Sequence, residues 1–231
     1  MATVLVTGAN RGLGLEFCRQ YGAEGWQVIA CCRSPQQASE LQLLSQNYSN
    51  VVIEALDVAD FAQIDALSAK LADAGIDVLI NNAGIYADQR DNAFGHFDYP
   101  AWSRSFWVNT QAPLKMAEAF LPQVSRSERK LIVGISSLMG SMADNTSGGS
   151  VFYRSSKAAL NAALKALSLD VKARNVGVII FHPGWVKTDM GGPNALIEAD
   201  ECITGMRSVI EQFNMAQTGS FLKYDGKVMP W

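Results

Sequence analysis

Histidine is nearly missing from this chain: of 231 residues only His96 and His182 are histidine, and they stand far apart. The four cysteines, Cys18, Cys31, Cys32 and Cys202, form no C-x-x-C pair and have no histidine at zinc-ligand spacing, so the pattern supports no metal site. Cys31 and Cys32 lie inside the apolar run "QVIACC" and read as buried free thiols. Blocks of like charge are also lacking. With 19 basic and 22 acidic residues the net charge is −3, and there is no basic footprint of the kind that binds nucleic acid or an anionic membrane. No apolar run is long enough to span a bilayer. The opening "MATVLVTGANRG" has no basic lead-in and too short an apolar run for a secretory signal. A cytoplasmic location is therefore expected. No Ser/Pro linker, charge run or repeat divides the sequence, so one domain over residues 1–231 is expected, long enough to bury a large core.

What is there is an alternation. The runs "TVLVTG", "QVIACC", "VVIEALDV", "DVLINNAG", "KLIVGISS" and "VGVIIFHPG" are nearly continuous in apolar residues, as strands covered on both faces must be. Between them lie longer stretches with apolar residues at three- and four-residue spacing, including one from Pro100 to Val124 and another, "VFYRSSKAALNAALKALSLDVKARN". The alternation predicts an α/β fold, a parallel sheet with helices on both faces. Ligands of such sheets bind beyond the carboxyl ends of the strands, which directs attention to the residues that follow each run.

The first run ends in "TGANRGLG". Gly8, Gly12 and Gly14 allow a tight turn and close backbone approach, and the helix start that follows favours an anion. The spacing is G-x-x-x-G-x-G rather than G-x-G-x-x-G. After the second run, where an acidic residue would meet a ribose diol, stand Cys32 and Arg33. A thiol lacks the carboxylate's paired acceptors, while a guanidinium suits a 2′-phosphate. Arg11 adds a second positive charge, and NADP(H) is favoured over NAD(H). The bland alternative is that both arginines are solvated. Tyr153 and Lys157, four apart in a helical stretch, share one helix face; on its own this pair reads as readily as a solvated surface.

The strand-end motifs together resemble the short-chain dehydrogenase/reductase family: "TGANRGLG", "NNAG" at residues 81–84, "VNT" at 108–110, "ISS" at 135–137, "YRSSK" at 153–157 and "PGWVKTDM" at 183–190, in family order. The loop "SSLMGSMADNTSGG" and the closing "GSFLKYDGKVMPW" look closest to the branch of the bacterial C-factor protein and the sniffer-type carbonyl reductases. The resemblance implies a Rossmann-type, doubly wound sheet of about seven strands and an NADP(H)-dependent carbonyl reductase or alcohol dehydrogenase. It implies that Tyr153 is the general acid and base, its phenolate stabilised by Lys157 and by the positive nicotinamide ring of the oxidised cofactor, and that Lys157 also holds the nicotinamide ribose. Ser137, the second serine of its pair, would bind the substrate carbonyl, and Asn109 would complete a water-linked proton relay. For the cofactor it implies Gly8, Asn10, Arg11, Gly12, Leu13, Gly14, Asp57, Val58, Asn81, Ala83, Gly84, Tyr153, Lys157, Pro183, Gly184, Val186 and Thr188, alongside Arg33.

Further expectations concern the surroundings. Trp102, Phe106 and Trp107 read as packing. Ile85, Leu138, Met139, Trp185 and Met190 follow strand ends and would wall an apolar pocket. His182 is expected to have no catalytic role. The family's substrate-covering region, near residues 189–213, begins with a short segment from Gly191 to Ala199, which implies an open pocket. Members of the family associate through the helix of Tyr153, where Ala158, Ala159, Leu160, Ala162 and Ala163 would permit close approach, so a homodimer or homotetramer is expected. The partner is a small carbonyl or alcohol substrate. Two alternatives stand beside it: a cofactor-binding cell-signalling protein like C-factor, and an epimerase or dehydratase, which usually has a longer substrate region.

Overall fold

The computed structural model describes residues 1–89 and 93–231. Seven strands are formed: β1 (Thr3–Thr7), β2 (Gln27–Cys32), β3 (Val51–Ala55), β4 (Val78–Asn81), β5 (Leu131–Ile135), β6 (Gly177–His182) and β7 (Ser220–Lys223). All are parallel and lie in one sheet in the order β3-β2-β1-β4-β5-β6-β7. The helices are α1 (Gly12–Ala23), α2 (Ser39–Asn47), α3 (Phe61–Lys70), α4 (Tyr99–Phe106), α5 (Ala112–Arg126), α6 (Val151–Asp170) and α7 (Ala199–Glu211).

Strand periodicity divides the core in two. Val4 and Val6 of β1 face a cluster with Phe17, Tyr21, Leu41, Ile203 and Met206 of α1, α2 and α7. Leu5 faces the opposite side, with Ile64, Met116, Phe120, Leu160 and Leu164 of α3, α5 and α6. Each fully buried side chain of this size contributes about 1.5–3 kcal/mol, and having helices on both faces explains why the runs are apolar throughout. The edge strand β3 departs from this: Val51 is buried while Val52 is exposed.

Strand order reverses between β1 and β4, since the chain runs outward from β1 to β3 and then returns to the other side of β1. The crevice at such a switch point is the site the topology provides.

Two local features differ from the expectations, and the seventh strand, expected from the family resemblance, is not among the apolar runs. The stretch from Pro100 to Val124 is not one α-helix; α4 and α5 are joined by a π turn, Trp107–Gln111. Pro113 has no N–H to offer the carbonyl of Asn109 four residues back, so the ordinary ladder cannot run through this point. Leu160 is not at the surface but buried in the core, because it lies on the sheet-facing side of α6. The seventh strand carries only Phe221 and Leu222 as buried residues, too short an apolar signal to stand out. Trp102 and Trp107 pack as expected, stacked on Phe152 and Phe61. The four cysteines are buried free thiols. Among the described residues no helix is long and apolar enough to cross a membrane, and no cluster of His, Cys, Asp and Glu is built to hold a metal.

Candidate active site

The glycine turn after β1 is shaped by contact as well as by backbone freedom. Gly8 and Gly12 adopt φ of 66° and 54°, in the left-handed region. Gly14 lies inside α1, where a Cβ would stand 2.2 Å from the carbonyl oxygen of Gly8. The Asn82 side-chain amide closes the turn from β4, donating to the carbonyls of Thr7 (2.9 Å) and Gly8 (3.2 Å). In return the Thr7 hydroxyl accepts from the N–H groups of Asn82 (3.0 Å) and Ala83 (3.1 Å). At the N-cap of α1, Arg11 makes no side-chain cap hydrogen bond, and no acidic residue occupies the first turn. The first N–H groups of the helix thus point where a phosphate would be bound.

A cleft of about 400 Å3 runs from this turn across the carboxyl ends of the strands. Beyond β2 and β3 it is lined by Arg33, Asp57 and Val58; beside β1 and β4 by Gly8, Asn10, Arg11, Gly12, Leu13, Ala83 and Gly84; and toward β6 by Tyr153, Lys157, Pro183 and Thr188. Arg33 is exposed, and Arg11 forms an exposed ion pair with Asp189 at 2.6 Å. The residues present fit a dinucleotide with a phosphorylated ribose: a left-handed glycine turn, a helix start without a side-chain cap, and the exposed Arg33 guanidinium after β2, where no carboxylate follows Cys32.

At the other end, Tyr153 and Lys157 are both buried. Lys157 Nζ donates to the Ile135 carbonyl at 2.8 Å and lies over the Tyr153 ring, 5.6 Å from its centroid. Gly84 leaves room for this arrangement, since a Cβ there would come within 3.3 Å of Asn109 Oδ1 and 3.5 Å of Lys157 Nζ. The two serines of the pair divide their work. Ser136 lines the cleft and donates to Asn161 Oδ1 at 2.5 Å, whereas Ser137 Oγ accepts the Met139 N–H at 3.1 Å and lies close enough to the Tyr153 phenol to draw its pKa down.

Burial pushes Tyr153 up to about 12, with Ser137 opposing and Tyr86 adding to the rise. Burial likewise pulls Lys157 down to about 8. Both groups sit where any charge is poorly solvated, and the amine spends its hydrogen bond on a backbone carbonyl. At neutral pH the phenol is a protonated acid beside an amine that still holds most of its protons.

Several expected residues stand away from the cleft wall. Asn81 is buried in β4, with neither end of its amide hydrogen-bonded, and its neighbour Asn82 lines the cleft instead. Gly14 supports the turn from behind. Gly184, with φ of 86°, makes room for Ile197, and Val186 is buried and bridges to Ile197. The Asn109 amide grips the backbone of Ile85, accepting from its N–H (2.8 Å) and donating to its carbonyl (2.9 Å), and also donates to Ser156 Oγ (3.0 Å). These three hydrogen bonds hold its side chain between Ile85 and Ser156. Of the expected pocket walls, Ile85 and Met190 line the cleft.

Sequence reasoning missed Thr7 and Asn82, and His182, expected to have no catalytic role, has a supporting one. Half-buried His182 accepts the Leu138 N–H at Nδ1 (3.1 Å) and so steadies the turn that carries Ser137. Burial, then the Lys223 charge, hold its pKa down at about 4. Its place at the end of β6, opposite the end of β5, was the available signal.

A dinucleotide cleft with a buried Tyr, Lys and Ser at one end defines an oxidoreductase site. The family model for short chain dehydrogenases matches residues 2–196. The C-signal protein of Myxococcus xanthus is 39% identical over 166 residues, 72% of this chain and 99% of the relative. Among solved structures, the carbonyl reductase Sniffer of D. melanogaster superposes with a TM-score of 0.93 at 35% identity over the whole of both chains. The NADPH-bound carbonyl reductase from chicken fatty liver gives 0.92 at 38% identity, covering 100% of this chain and 99% of the other. The chain belongs to the short-chain dehydrogenases, a family of oxidoreductases.

Proposed function

We propose that the protein is an NADP(H)-dependent carbonyl reductase, working as an alcohol dehydrogenase in the reverse sense. The observation that carries this reading is the buried Tyr153 at the cleft, with the Lys157 amine 5.6 Å from the centroid of its ring. NADP(H), when bound, supplies or accepts the hydride. Tyr153 Oη gives its proton to the substrate oxygen while Ser137 Oγ donates a hydrogen bond to that oxygen as charge develops on it. The phenolate left behind would regain its proton through Lys157 and the water-linked relay that Asn109 would complete. Arg33 would receive the 2′-phosphate; Arg11, paired with Asp189, would have to leave that carboxylate to join it.

The Gly191–Ala199 segment is short, which supports a pocket open to varied small carbonyl compounds. A homodimer or homotetramer built on the alanine-rich face of α6 accords with its partly exposed Ala158, Ala159, Ala162 and Ala163.

The test is titration with NADPH and NADH, followed by a panel of carbonyl substrates read by nicotinamide absorbance. Tyr153→Phe is expected to lose turnover by about 10²–10⁴-fold while NADPH affinity holds. Retained turnover in this variant sinks the reading, and absence of turnover in the wild type returns weight to the signalling alternative.

A further inference from the structure

The helix that carries Tyr153 starts without a cap of its own. Ser150 occupies the N-cap position with φ 46° and ψ 44°, left-handed geometry, and its side chain makes no cap hydrogen bond. The N–H groups of a first helical turn need acceptors, and here two of them find one outside the helix. Asp88, 64 residues before Phe152, accepts the Phe152 N–H at Oδ1 (3.0 Å) and the Tyr153 N–H at Oδ2 (2.9 Å). Tyr86 shares a hydrogen bond of 2.7 Å with the Ser150 hydroxyl, and its ring lies 5.1 Å from the Tyr153 ring.

Both residues come from the segment that forms the cleft wall. Ala83, Gly84 and Ile85 line the cleft, and Asn109 holds Ile85 by both its N–H and its carbonyl. Two residues beyond Tyr86, the carboxylate grips the backbone of Tyr153 itself. A serine cap at position 150 would satisfy the same helix end locally, yet it would not tie the helix to the cleft. The carboxylate does so with two charge-assisted bonds at the positive end of a 20-residue helix.

We propose that Asp88, assisted by Tyr86, is a positioning residue that fixes the Tyr153 phenol relative to the cleft, taking Tyr153 as the proton donor of the reaction proposed above. Asp88 touches neither the reacting atoms nor the cofactor cleft; it acts through the backbone of the residue that does.

The test compares Asp88→Ala, Asp88→Asn and Tyr86→Phe in the full chain. Asp88→Ala is expected to lower kcat about tenfold or more while the NADPH Kd stays within about twofold, because small misplacement of a reacting group costs rate rather than cofactor binding. Asp88→Asn, which keeps one acceptor oxygen, should recover part of the loss. NMR of isotope-labelled tyrosine, with the Tyr153 resonance identified by Tyr153→Phe, reads the phenol's surroundings without turnover. A shift of that resonance in the Asp88 variants supports the proposal even if the wild type reduces no carbonyl tested, an outcome that sinks only the reductase reading. Folded Asp88→Ala with unchanged kcat and unchanged Tyr153 resonance overturns it. If Asp88→Ala does not fold, Asp88→Asn and Tyr86→Phe decide by the same two readouts.

Discussion

Gly14→Ala sets two ordinary effects against each other at one helical position. Helix propensity alone makes alanine better than glycine by about 1 kcal/mol, so an exposed helical glycine would gain from the change. Gly14 is not exposed. Its added Cβ would stand 2.2 Å from the Gly8 carbonyl oxygen and 2.6 Å from the Asn82 side-chain nitrogen. Ordinary contact begins near 3.4 Å, so the turn must retreat by about 1 Å. Neither neighbour is a loose side-chain end. One is the backbone of the turn, and the other is the amide that holds the turn to β4. Overpacking against groups that cannot give way costs about 1–3 kcal/mol. With the clash at the upper end of that range, the net loss is about 2 kcal/mol after the propensity gain, or roughly 4–8 °C in Tm. The same displacement moves the N–H groups of the anion cradle, so NADPH should bind about tenfold more weakly, or worse. The assays are thermal melting and NADPH titration, with Gly75→Ala as control, since its Cβ would meet Ser127 at an ordinary 3.8 Å. A Gly14→Ala protein that melts at or above the wild-type temperature and binds NADPH normally would refute the claim that helix and turn are pressed together here.

Two further outcomes are expected. Arg33→Ala should raise the NADPH Kd about 10- to 100-fold, the value of one or two charge-assisted contacts, and leave NADH binding unchanged; equal wild-type affinity for the two cofactors counts against the arginine assignment. His182, held near pKa 4 against an ordinary 6.5, stays neutral in the fold while the unfolded chain takes up a proton. Stability should therefore fall as pH drops from 6.5 to 4, by at most about 3 kcal/mol, and acid denaturation of His182→Gln should lack this component.

Most of the fold is legible because its determinants are local. A strand covered on both faces has to be apolar throughout, and the pattern survives in six short runs. The glycine turn is legible for the same reason, since the conformations of Gly8 and Gly12 are set within a few residues. Legibility ends where a role depends on which way a residue faces. Asn81 and Asn82 are adjacent and chemically identical, yet one is buried in the sheet and the other closes the cradle. Their difference is set by β1, 75 residues away, through the Thr7 hydroxyl that accepts the Asn82 N–H. The interrupted helix was readable in principle, because Pro113 announces the missing N–H; the stretch reads as one helix only if periodicity is weighed without its donors.

The Tyr153–Lys157 pair marks the other limit. Four-residue spacing places both side chains on one face of α6, but the charge states that matter are set by β5, by the Ser137 turn and by Tyr86, none of them near in sequence. The Ile135 carbonyl takes a hydrogen bond from Lys157, whose amine stands 5.6 Å from the centroid of the Tyr153 ring. Burial then separates the two groups in opposite directions, the amine down and the phenol up. A phenol held in this way keeps its proton until a partner takes it, which is what the proposed reduction asks of Tyr153. Spacing establishes that the two groups are neighbours; the packing around them decides which of them is the acid.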